Sequence, residues 1–513
     1  MKILAIALLT TAAFAQVPCP SSEKLSLPND ATSAAPRACV STALPPTKAT
    51  IVVSGTLPAW QCGNTYSIKA GHYPTTTLPK CTAAGWIILK AAADSSVAGS
   101  RFTKSSGVVF DHIVTPGYNR IGPGIEIIQK VAGGFDSTLL DARNSSHVVL
   151  LRSHLAGTPT GEVGHAFYAA GSDHIAAVGN VIEEIHCKAG SQGKCSDAQG
   201  FLAGCGNSGA GFLVENNLIE ASTEGILFGG CGAGNSATDA IIERNHIVKP
   251  LKWMIGQPNY VGTAFTVKNS LEFKNVNRAL VQYNLFENSW GGFTQDGYCL
   301  LLTVKNQSGQ APNAQVSNVI VRYNKCIAGS GLQFAAARDT PPPANASSLG
   351  TVNASVHDNL FIVDPKFVSS RGIDLQLTLQ DPASTAQFTG INISNNSWTS
   401  AANAALMLGA HPAGSLVFAN NILFAGNYDA VSTGAPAPDC SQGGNKKPAQ
   451  MLTACWASVS WTNNFVVGGN QNWPAGTSTP TLSPFVSVSS GDFHSTLPGL
   501  GANIDAIIPN LVP

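Results

Sequence analysis

The feature that most constrains this chain is an asparagine that recurs nine times in one apolar frame between residues 180 and 464. Each asparagine lies three residues after a small or apolar residue and two residues before a large apolar residue or a cysteine. The intervals are unequal but fall in the range of about 20–50 residues that is typical of repeat proteins. A fixed core with variable spacers predicts one supersecondary unit repeated along the chain, with the extra residues in surface loops. The nine are Asn180, Asn217, Asn245, Asn284, Asn324, Asn359, Asn396, Asn421 and Asn464.

The repeating unit is predicted to consist of short β-strands. Apolar residues five and three positions before the asparagine alternate with polar ones, as at Val319 and Val321, and this period of two is typical of a half-buried strand. Asparagine tolerates the left-handed conformation of a tight corner, and corners that stack would align the side chains in a ladder. We therefore predict an all-β fold, a right-handed parallel β-helix of about ten to eleven coils. A β-propeller is the alternative, but its blades need four antiparallel strands at a steadier period.

The chain divides into four segments. Residues 1–15 have a lysine, an apolar run and an Ala-Phe-Ala end, which is typical of a secretory signal peptide. Residues 16–100 are predicted to be a disulfide-stapled N-terminal cap with the first strands, residues 101–470 the coils, and residues 471–513 a C-terminal cap or tail. We expect an exported protein without a membrane span, because no later segment is apolar and long enough.

Twelve cysteines in an exported chain favour disulfides. Cys205 and Cys231 end two similar strands, so we expect them to join neighbouring coils. The pairing of Cys19, Cys39, Cys299 and Cys326 stays open, and a buried thiol at Cys326 is as consistent with its core position as a bond. The pairs expected to close local loops are Cys62 with Cys81, Cys187 with Cys195, and Cys440 with Cys455.

A second strand of the coil provides the surface on which we place function. In residues 373–379 alternation directs Ile373 inward and Asp374 and Gln376 toward solvent. The same reasoning directs Glu272 and Lys274 outward in an earlier coil.

Several motifs resemble those of a known group of proteins. From residue 197 to residue 307, and again near the N-terminal cap, the chain resembles uncharacterised, secreted right-handed β-helix proteins of acidobacteria and related environmental bacteria. The resemblance covers about half of the chain. It implies the fold of the pectate-lyase-like superfamily, which contains polysaccharide lyases, glycoside hydrolases, epimerases and non-catalytic adhesins. The motifs are DAQG at 197–200, ENNLIE at 215–220, GILFGG at 225–230, ERNHIVKP at 243–250 with Trp253, LEFKN at 271–275, FENSW at 286–290, QDG at 295–297, KNQ at 305–307, and CGNT, AG and LPK at 62–65, 70–71 and 78–80.

The charged residues of these coils suit a uronate lyase. Such an enzyme needs a cation that neutralises the sugar carboxylate and a base that removes the adjacent proton. Lys274 and Lys305 are candidates for either role, with Glu272 beside them and Asp296 in the next coil. The alternative is that Glu272 and Lys274 are ordinary charges on a solvated strand. Hydrolysis ranks lower, because the predicted carboxylate separations exceed those that glycosidases use.

Candidate sugar-binding residues surround these charges. Flat aromatic faces pack against sugar rings, although the same residues could equally cover the apolar ends of the insertions. The candidates are Trp290, Trp253 and Tyr260, together with the polar residues Asn275, Asn306, Gln307, Asp374 and Gln376.

Two functional hypotheses follow. The first is an exported lyase, acting as a monomer on a uronic-acid polysaccharide, for which Ca²⁺ held by oxygen ligands is a conceivable cofactor. The second is a carbohydrate-binding or surface-structural β-helix without catalysis, and a glycoside hydrolase ranks third. No metal-ligand set can be assigned from the sequence. Only 11% of residues are charged and the formal net charge is zero, so nothing favours nucleic acid as a partner.

Overall fold

The computed structural model describes residues 47–82, 85–93, 107–190, 193–292, 295–336, 348–368, 372–379, 386–399, 403–410, 413–433, 440–441 and 447–511. The segment expected to be a signal peptide, Cys19, Cys39 and most of the proline-rich insertion near residue 340 lie outside these residues. In the described part, no helix is long and apolar enough to cross a membrane.

The chain winds through three long parallel sheets, so the predicted right-handed parallel β-helix is confirmed. Each turn contributes one strand to sheet 1, one to sheet 2 and one to sheet 3, and twelve such coils are complete within the described ranges. Sheet 1 contains Ala49–Val53, Asn64–Ile68, Ile87–Ala91, Asn119–Ile121, Ser146–Leu151, Asp173–Val178, Ala210–Glu215, Ala237–Glu243, Val276–Gln282, Gln315–Arg322, Gly350–His357, Gln387–Ser394, Ala413–Ala419 and Trp456–Thr462. Sheet 2 contains Gly71–Tyr73, Val108–Phe110, Glu126–Ile128, His154–Ala156, Val181–Ile185, Leu218–Ala221, His246–Val248, Leu285–Ser289, Lys325–Ala328, Leu360–Val363, Ser397–Trp398, Ile422–Phe424, Asn464–Val467 and Thr477–Ser478. Sheet 3 contains Thr76–Thr77, Ile113–Val114, Phe135–Asp141, Glu162–Tyr168, Gln199–Ala203, Ile226–Phe228, Leu271–Phe273, Tyr298–Leu302, Ser330–Ala335, Ile373–Leu379, Ala404–Ala410 and Tyr428–Ser432.

The regular coils begin earlier in the chain than the sequence predicts. Strands Asn64–Ile68, Gly71–Tyr73 and Thr76–Thr77 already belong to sheets 1, 2 and 3, well before the expected boundary at residue 101. This difference explains why the coil number exceeds the expected ten to eleven. The first coils lack the ladder asparagine, which was the signal used for counting.

The nine asparagines form a buried ladder at the corner between sheets 1 and 2. All are at most 1% exposed, and the backbone N–H of each of the first eight donates to the side-chain oxygen of the asparagine in the following coil, as Asn245 does to Asn284 at 3.0 Å. The N–H of the last, Asn464, donates to the carbonyl of Gly476. Ser153 begins the ladder by donating its N–H to Asn180. The intervals along the ladder run from 25 to 43 residues without breaking it.

The left-handed backbone at this corner belongs to the residue before the ladder asparagine. Arg244, Tyr283 and Asp358 have φ values of 52°, 57° and 54°, while the asparagines that follow them are not among the residues with positive φ. The expectation that the asparagine itself takes the left-handed conformation is therefore wrong. Its amide instead forms hydrogen bonds with backbone groups of two coils. Aspartate has no N–H to donate and leucine has no polar group, so neither could form all of these bonds.

Aliphatic and aromatic side chains from all three sheets fill the interior. The α-helix Pro448–Cys455 lies at the C-terminal end, where Met451 and Leu452 are buried in this core. The remaining elements are the hairpin Phe485–Ser487 and Asp492–Ser495, the α-helix Ile504–Ile507, and the 3-10 helices Leu251–Trp253, Gln307–Gly309, Pro365–Phe367, Val488–Ser490 and Ile508–Asn510.

Five disulfides lie within the described residues, including all four predicted pairs. Cys205 and Cys231 join neighbouring coils of sheet 3 with Cα atoms 5.6 Å apart. The fifth pair, Cys299 with Cys326, settles the open question at Cys326 in favour of a bond.

The C-terminal segment runs back along the outer face of sheet 2. It packs an apolar cluster against Leu360 and Ile422, and the N–H of Gly501 donates to the carbonyl of Asn420 at 2.8 Å. The residues it contributes are Phe485, Phe493, Leu500, Ala502, Ile504 and Ile507.

Candidate active site on the outer face of sheet 3

An open cleft of about 420 Å³ lies on the outer face of sheet 3, across the strands of four consecutive coils. The lining is mainly polar and charged, and the disulfide Cys205–Cys231 and the loop at residues 194–197 border it. The charged and titratable residues that line it are His165, Tyr168, Lys194, Asp197, Glu224 and Lys274.

The corner before sheet 3 decides which residues face this cleft. Two successive residues point inward there: Ile226 lies in the core, and a Cβ on Gly225 would collide with the core residue Ile247. The alternation of inward and outward side chains is therefore shifted by one residue at the start of each strand. Glu224 and Leu227 consequently border the cleft on either side of this inward pair.

This shift reverses the predicted orientation of Ile373 and Asp374, whereas Leu375, Leu377 and Leu379 point into the core as alternation predicts. Ile373 was expected to point inward, but it packs in an apolar cluster on the outer face with Tyr298 and Met407. Asp374 was expected to face solvent, but it is fully buried and in register with Gly331, where a Cβ would meet the core indole of Trp398 at 2.7 Å. Local alternation could not predict this, because the inward pair depends on the shape of the whole corner.

A buried ion network forms one wall of the cleft. The ammonium group of Lys268 contacts Asp197 and lies 3.6 Å from Glu224, while the amide of Gln199 donates to Glu224 at 2.9 Å. Burial alone would raise the pKa of Glu224, but Lys268 and Lys274, with hydrogen bonds from Gln199 and Thr223, hold it below its usual value. Burial likewise opposes the charge of Lys268, but Glu224 and Asp197 outweigh it and raise the pKa. Both groups are therefore charged at neutral pH.

Glu272 and Lys274, which the sequence places on one face, form an ion pair of 3.4 Å. Glu272 is 5% exposed, and it also accepts hydrogen bonds from Asn269 at 3.1 Å and from the hydroxyl of Thr303. Lys274 lines the cleft, whereas Glu272 is fully engaged behind it. The pair thus presents a cation, held by a buried carboxylate, to the open space.

His165 occupies the opposite part of the cleft. Its ring lies 4.4 Å from that of Tyr168, and its Nδ1 is buried and has no hydrogen-bond partner among the described residues. Burial lowers the pKa of His165, more than the Gln199 side chain and nearby carboxylates raise it. The imidazole is therefore neutral at pH 7 and able to accept a proton.

Most of the predicted polar binding residues serve the fold instead. The amide of Asn275 donates to the carbonyls of Gly204 and Asn235, and that of Asn306 accepts from the N–H of Ala311 at 2.8 Å. Gln376, which is fully buried, accepts from Tyr298 at 3.0 Å and from Gln333 at 2.7 Å. Together with the burial of Asp374, these contacts place all four side chains inside the protein.

The predicted aromatic residues lie away from the cleft. Trp253 and Trp290 are 2% and 6% exposed and pack with Phe265 and Phe367 beside a separate apolar pocket of about 270 Å³. Tyr260 lies in the same insertion, half-buried. Neither tryptophan therefore forms a wall of the charged cleft.

The remaining predicted residues lie in loops next to sheet 3. Lys305 and Asp296 are half-buried and lie on either side of strand Tyr298–Leu302, and Gln307 begins a 3-10 helix. None of the three lines the cleft. Of the predicted catalytic residues, Lys274 and Glu272 are brought together.

The cleft residues do not suit Ca²⁺. The carboxylates Asp197, Glu224 and Glu272 each contact a lysine ammonium group, so a divalent ion would have to displace these cations. The expectation of a calcium-dependent site receives no support from this set of donors.

Among the cleft residues that the sequence did not reveal are His165, Tyr168, Lys194 and Gln199. Gln199 and Asp197 belong to the DAQG motif, which was a usable signal for this site. His165 follows no motif, and it meets Gln199 only through the register of strands Glu162–Tyr168 and Gln199–Ala203. Loops of unequal length separate these strands in the chain, so their register could not be read from the sequence.

Comparisons with known proteins leave the family open. No protein-family model matches the chain, and no curated protein matches it. Among solved structures, the catalytic unit of a GH87 α-1,3-glucanase from Streptomyces thermodiastaticus strain HF3-3 superposes with a TM-score of 0.46 at 12% identity, over 80% of this chain and 64% of that chain. A PL6 family alginate lyase gives a TM-score of 0.37 at 11% identity, over 88% and 56%. The tailspike of E. coli bacteriophage HK620 in complex with a pentasaccharide gives 0.37 at 11%, over 82% and 59%. The chain thus spans less than two thirds of the length of each.

Proposed function

We propose that this protein is an exported carbohydrate-active β-helix that cleaves a uronic-acid polysaccharide by β-elimination in the sheet 3 cleft. The observation that carries the proposal is that Lys274 and Lys194 line the same open cleft as a neutral histidine, His165. Export is supported by the five disulfides, since such bonds persist in oxidising compartments.

In the proposed reaction, each cleft residue has a role that its environment permits. Lys194 neutralises the carboxylate of the uronate that reacts, which acidifies the proton on C5. Lys274, three coils and about 14 Å from His165 along the solenoid, holds the carboxylate of a neighbouring sugar. His165 removes this proton, the electron pair forms the C4–C5 double bond, and the C4–O4 bond breaks. Tyr168, beside His165, supplies the proton that the leaving oxygen needs. Glu272 keeps Lys274 charged and in place.

A glycoside hydrolase fits these groups less well. Hydrolysis needs one carboxyl group that stays protonated as the general acid. Glu224 is a carboxyl group that lines the cleft, and its lowered pKa keeps it ionised. Its bonds to Gln199 and Lys268 also hold it inside the wall.

The test is a panel of uronate polymers, with separate detection of unsaturated products and of new reducing ends. We expect unsaturated products from at least one polymer, and Lys194→Ala should lower turnover about 10²-fold or more because the developing charge loses its partner. Lys274→Ala should chiefly weaken retention of the polymer, because Lys274 lies three coils from His165. His165→Gln should lower turnover to a similar extent while substrate retention on an affinity gel persists. Lys366→Ala is the matched control, since that lysine is half exposed beside Asp364 and outside the cleft.

Each other outcome identifies a different function. New reducing ends without unsaturation would establish hydrolysis. Retention of a polymer by the wild type, with no product of either kind, would replace the lyase with a non-catalytic binding module. The lowered pKa of His165 adds a check on the base: lyase activity should persist below pH 6.5, the ordinary histidine value, and fall at more acidic pH.

A further inference from the structure

A column of rings lies at the corner where the chain enters sheet 1. Tyr118, His147 and His174 occupy the same register position in three successive coils, each with a left-handed backbone. The ring of His147 stacks on Tyr118 at 4.3 Å and on His174 at 4.2 Å. In the next coil this position is Gly211, which has no side chain to continue the column.

Four donor atoms converge beside this column. The hydroxyl of Ser146 lies 2.6 Å from Nδ1 of His147 and 2.5 Å from Oδ1 of Asp173, and Nδ1 of His174 lies 2.5 Å from the same carboxylate oxygen. The ligand atoms of His147, Asp173 and His174 all lie within 4.8 Å of one another. The side chains of Asp173 and His174 are 36% and 25% exposed, so an ion can reach them from solvent.

We propose that His147, Asp173 and His174 form a binding site for a divalent transition metal, with Ser146 or water as a fourth ligand. Two imidazoles and one carboxylate suit Zn²⁺, Co²⁺, Ni²⁺ or Cu²⁺, whereas Ca²⁺ and Mg²⁺ prefer oxygen ligands alone. Neutral imidazoles can bind through Nδ1 while the proton sits on Nε2.

The present spacing permits the ion after a small adjustment. Ligand atoms at the corners of a zinc tetrahedron lie about 3.3 Å apart, because each bond is about 2.0–2.1 Å long. The prospective ligand atoms are now joined by hydrogen bonds of 2.5–2.6 Å. The planes of the His147 and His174 rings are nearly parallel, at 7° to each other. The ion would replace the protons of these hydrogen bonds, and the rings would tilt toward it. Because His147 belongs to one coil and His174 to the next, the metal would tie two coils together.

None of these residues lines the sheet 3 cleft, so the inference does not depend on the proposed function. The experiment uses the full mature chain without an affinity tag. Zn²⁺ and Co²⁺ are titrated by calorimetry, and visible absorption reports the coordination of Co²⁺.

The informative variants are His174→Asn and His147→Asn. Asparagine already occupies this left-handed position in other coils, at Asn318 and Asn353, so the variants keep a residue that the repeat accommodates. His494→Asn is the control, because His494 is also a surface histidine between two carboxylates, Asp492 and Asp505.

We expect one ion per chain, a visible Co²⁺ spectrum, and a rise in the unfolding midpoint with Zn²⁺. His174→Asn and His147→Asn should each weaken binding at least about tenfold and abolish the spectrum, while His494→Asn changes neither. Absence of binding by the wild type, or equal binding by wild type and His174→Asn, would overturn the proposal.

Discussion

At the scale of single residues, the ladder asparagines matter because each satisfies buried backbone groups that no other side chain of this size could satisfy together. The oxygen of Asn284 accepts from the N–H of Asn245 at 3.0 Å, and its amide donates to the carbonyl of Ile242 at 2.9 Å. One amide thus joins three consecutive coils, since it also donates to Asn324 at 2.9 Å. The left-handed residue before Asn284 makes the turn, so the asparagine side chain can form hydrogen bonds with the neighbouring coils.

Asn284→Ala should therefore lower the free energy of unfolding by about 1–3 kcal/mol, because the N–H of Asn245 is left buried without an acceptor. Denaturant titration measures this change. Asn427→Ala is the control, since the amide of Asn427 bonds only to Asn403 at an exposed site. Equal losses in the two variants would contradict a special role for the ladder.

Glu220 carries an unusual charge balance. Burial raises its pKa from 4.5 to about 7, and Glu183 and Glu184 add to this, although Lys252 opposes them. Between pH 4.5 and about pH 7, Glu220 keeps its proton in the folded protein but has lost it in the unfolded chain. The free energy of unfolding therefore falls as the pH rises through this range. Above pH 7 Glu220 is ionised in both states, and the full free-energy cost of its buried charge lowers the stability of the fold.

Glu220→Gln should remove this penalty. The thermal midpoint of the variant should exceed that of the wild type at pH 8 and match it at pH 5, which scanning calorimetry at the two pH values can measure. An equal shift at both pH values would point to a change in packing rather than in charge.

At the scale of strands and corners, disulfides fix the edges that border the cleft. Cys205 and Cys231 close a loop of 26 residues between neighbouring coils of sheet 3. Cys231 itself lines the cleft, so this bond also positions the loop that borders the cleft.

Replacing both Cys205 and Cys231 by serine should lower the free energy of unfolding by about 3.5 kcal/mol, the loop-closure entropy expected for this length. Peptide mapping without reduction should recover this pair in the wild type and also Cys299 with Cys326. Recovery of either Cys205 or Cys231 as a free thiol would rule out the bond.

The sequence predicted strands and their stacking far better than it predicted the site. The asparagine frame and the alternation at Val319 and Val321 are local signals, and both describe what the structure contains. The predicted orientation of Ile373 and Asp374 was wrong because two successive inward residues at the corner shift the alternation, while the rest of that strand keeps the predicted phase. The cleft also needed the register between distant segments, which brings His165 beside Gln199, and no local pattern encodes that register.

At the scale of the whole molecule, a solenoid has exposed faces as well as ends to protect. Leu360 and Ile422 lie on the outer face of sheet 2, and the C-terminal segment covers them with residues from Phe485 to Ile507. The segment therefore protects a side of the solenoid, while the helix Pro448–Cys455 contributes to the core at its end.

Removing residues 481–513 should expose this apolar surface. We expect a lower unfolding midpoint and stronger binding of a fluorescent apolar dye, because Leu360 and Ile422 lose their cover. Leu482→Ser is the control, since that side chain is 79% exposed and outside the cluster. Unchanged dye binding in the truncated chain would mean that the segment adds nothing to the solenoid.

The asparagine ladder also bears on how such a molecule changes in length. Every junction along the ladder presents the same amide on one side and the same backbone N–H on the other, whether the two asparagines are 25 or 43 residues apart in the chain. If a coil is duplicated or deleted at such a junction, the coils that become neighbours still present matching hydrogen-bond donors and acceptors. Lengthening or shortening the rod then requires no new interface, so the number of coils alone can set the length of a solenoid of this design.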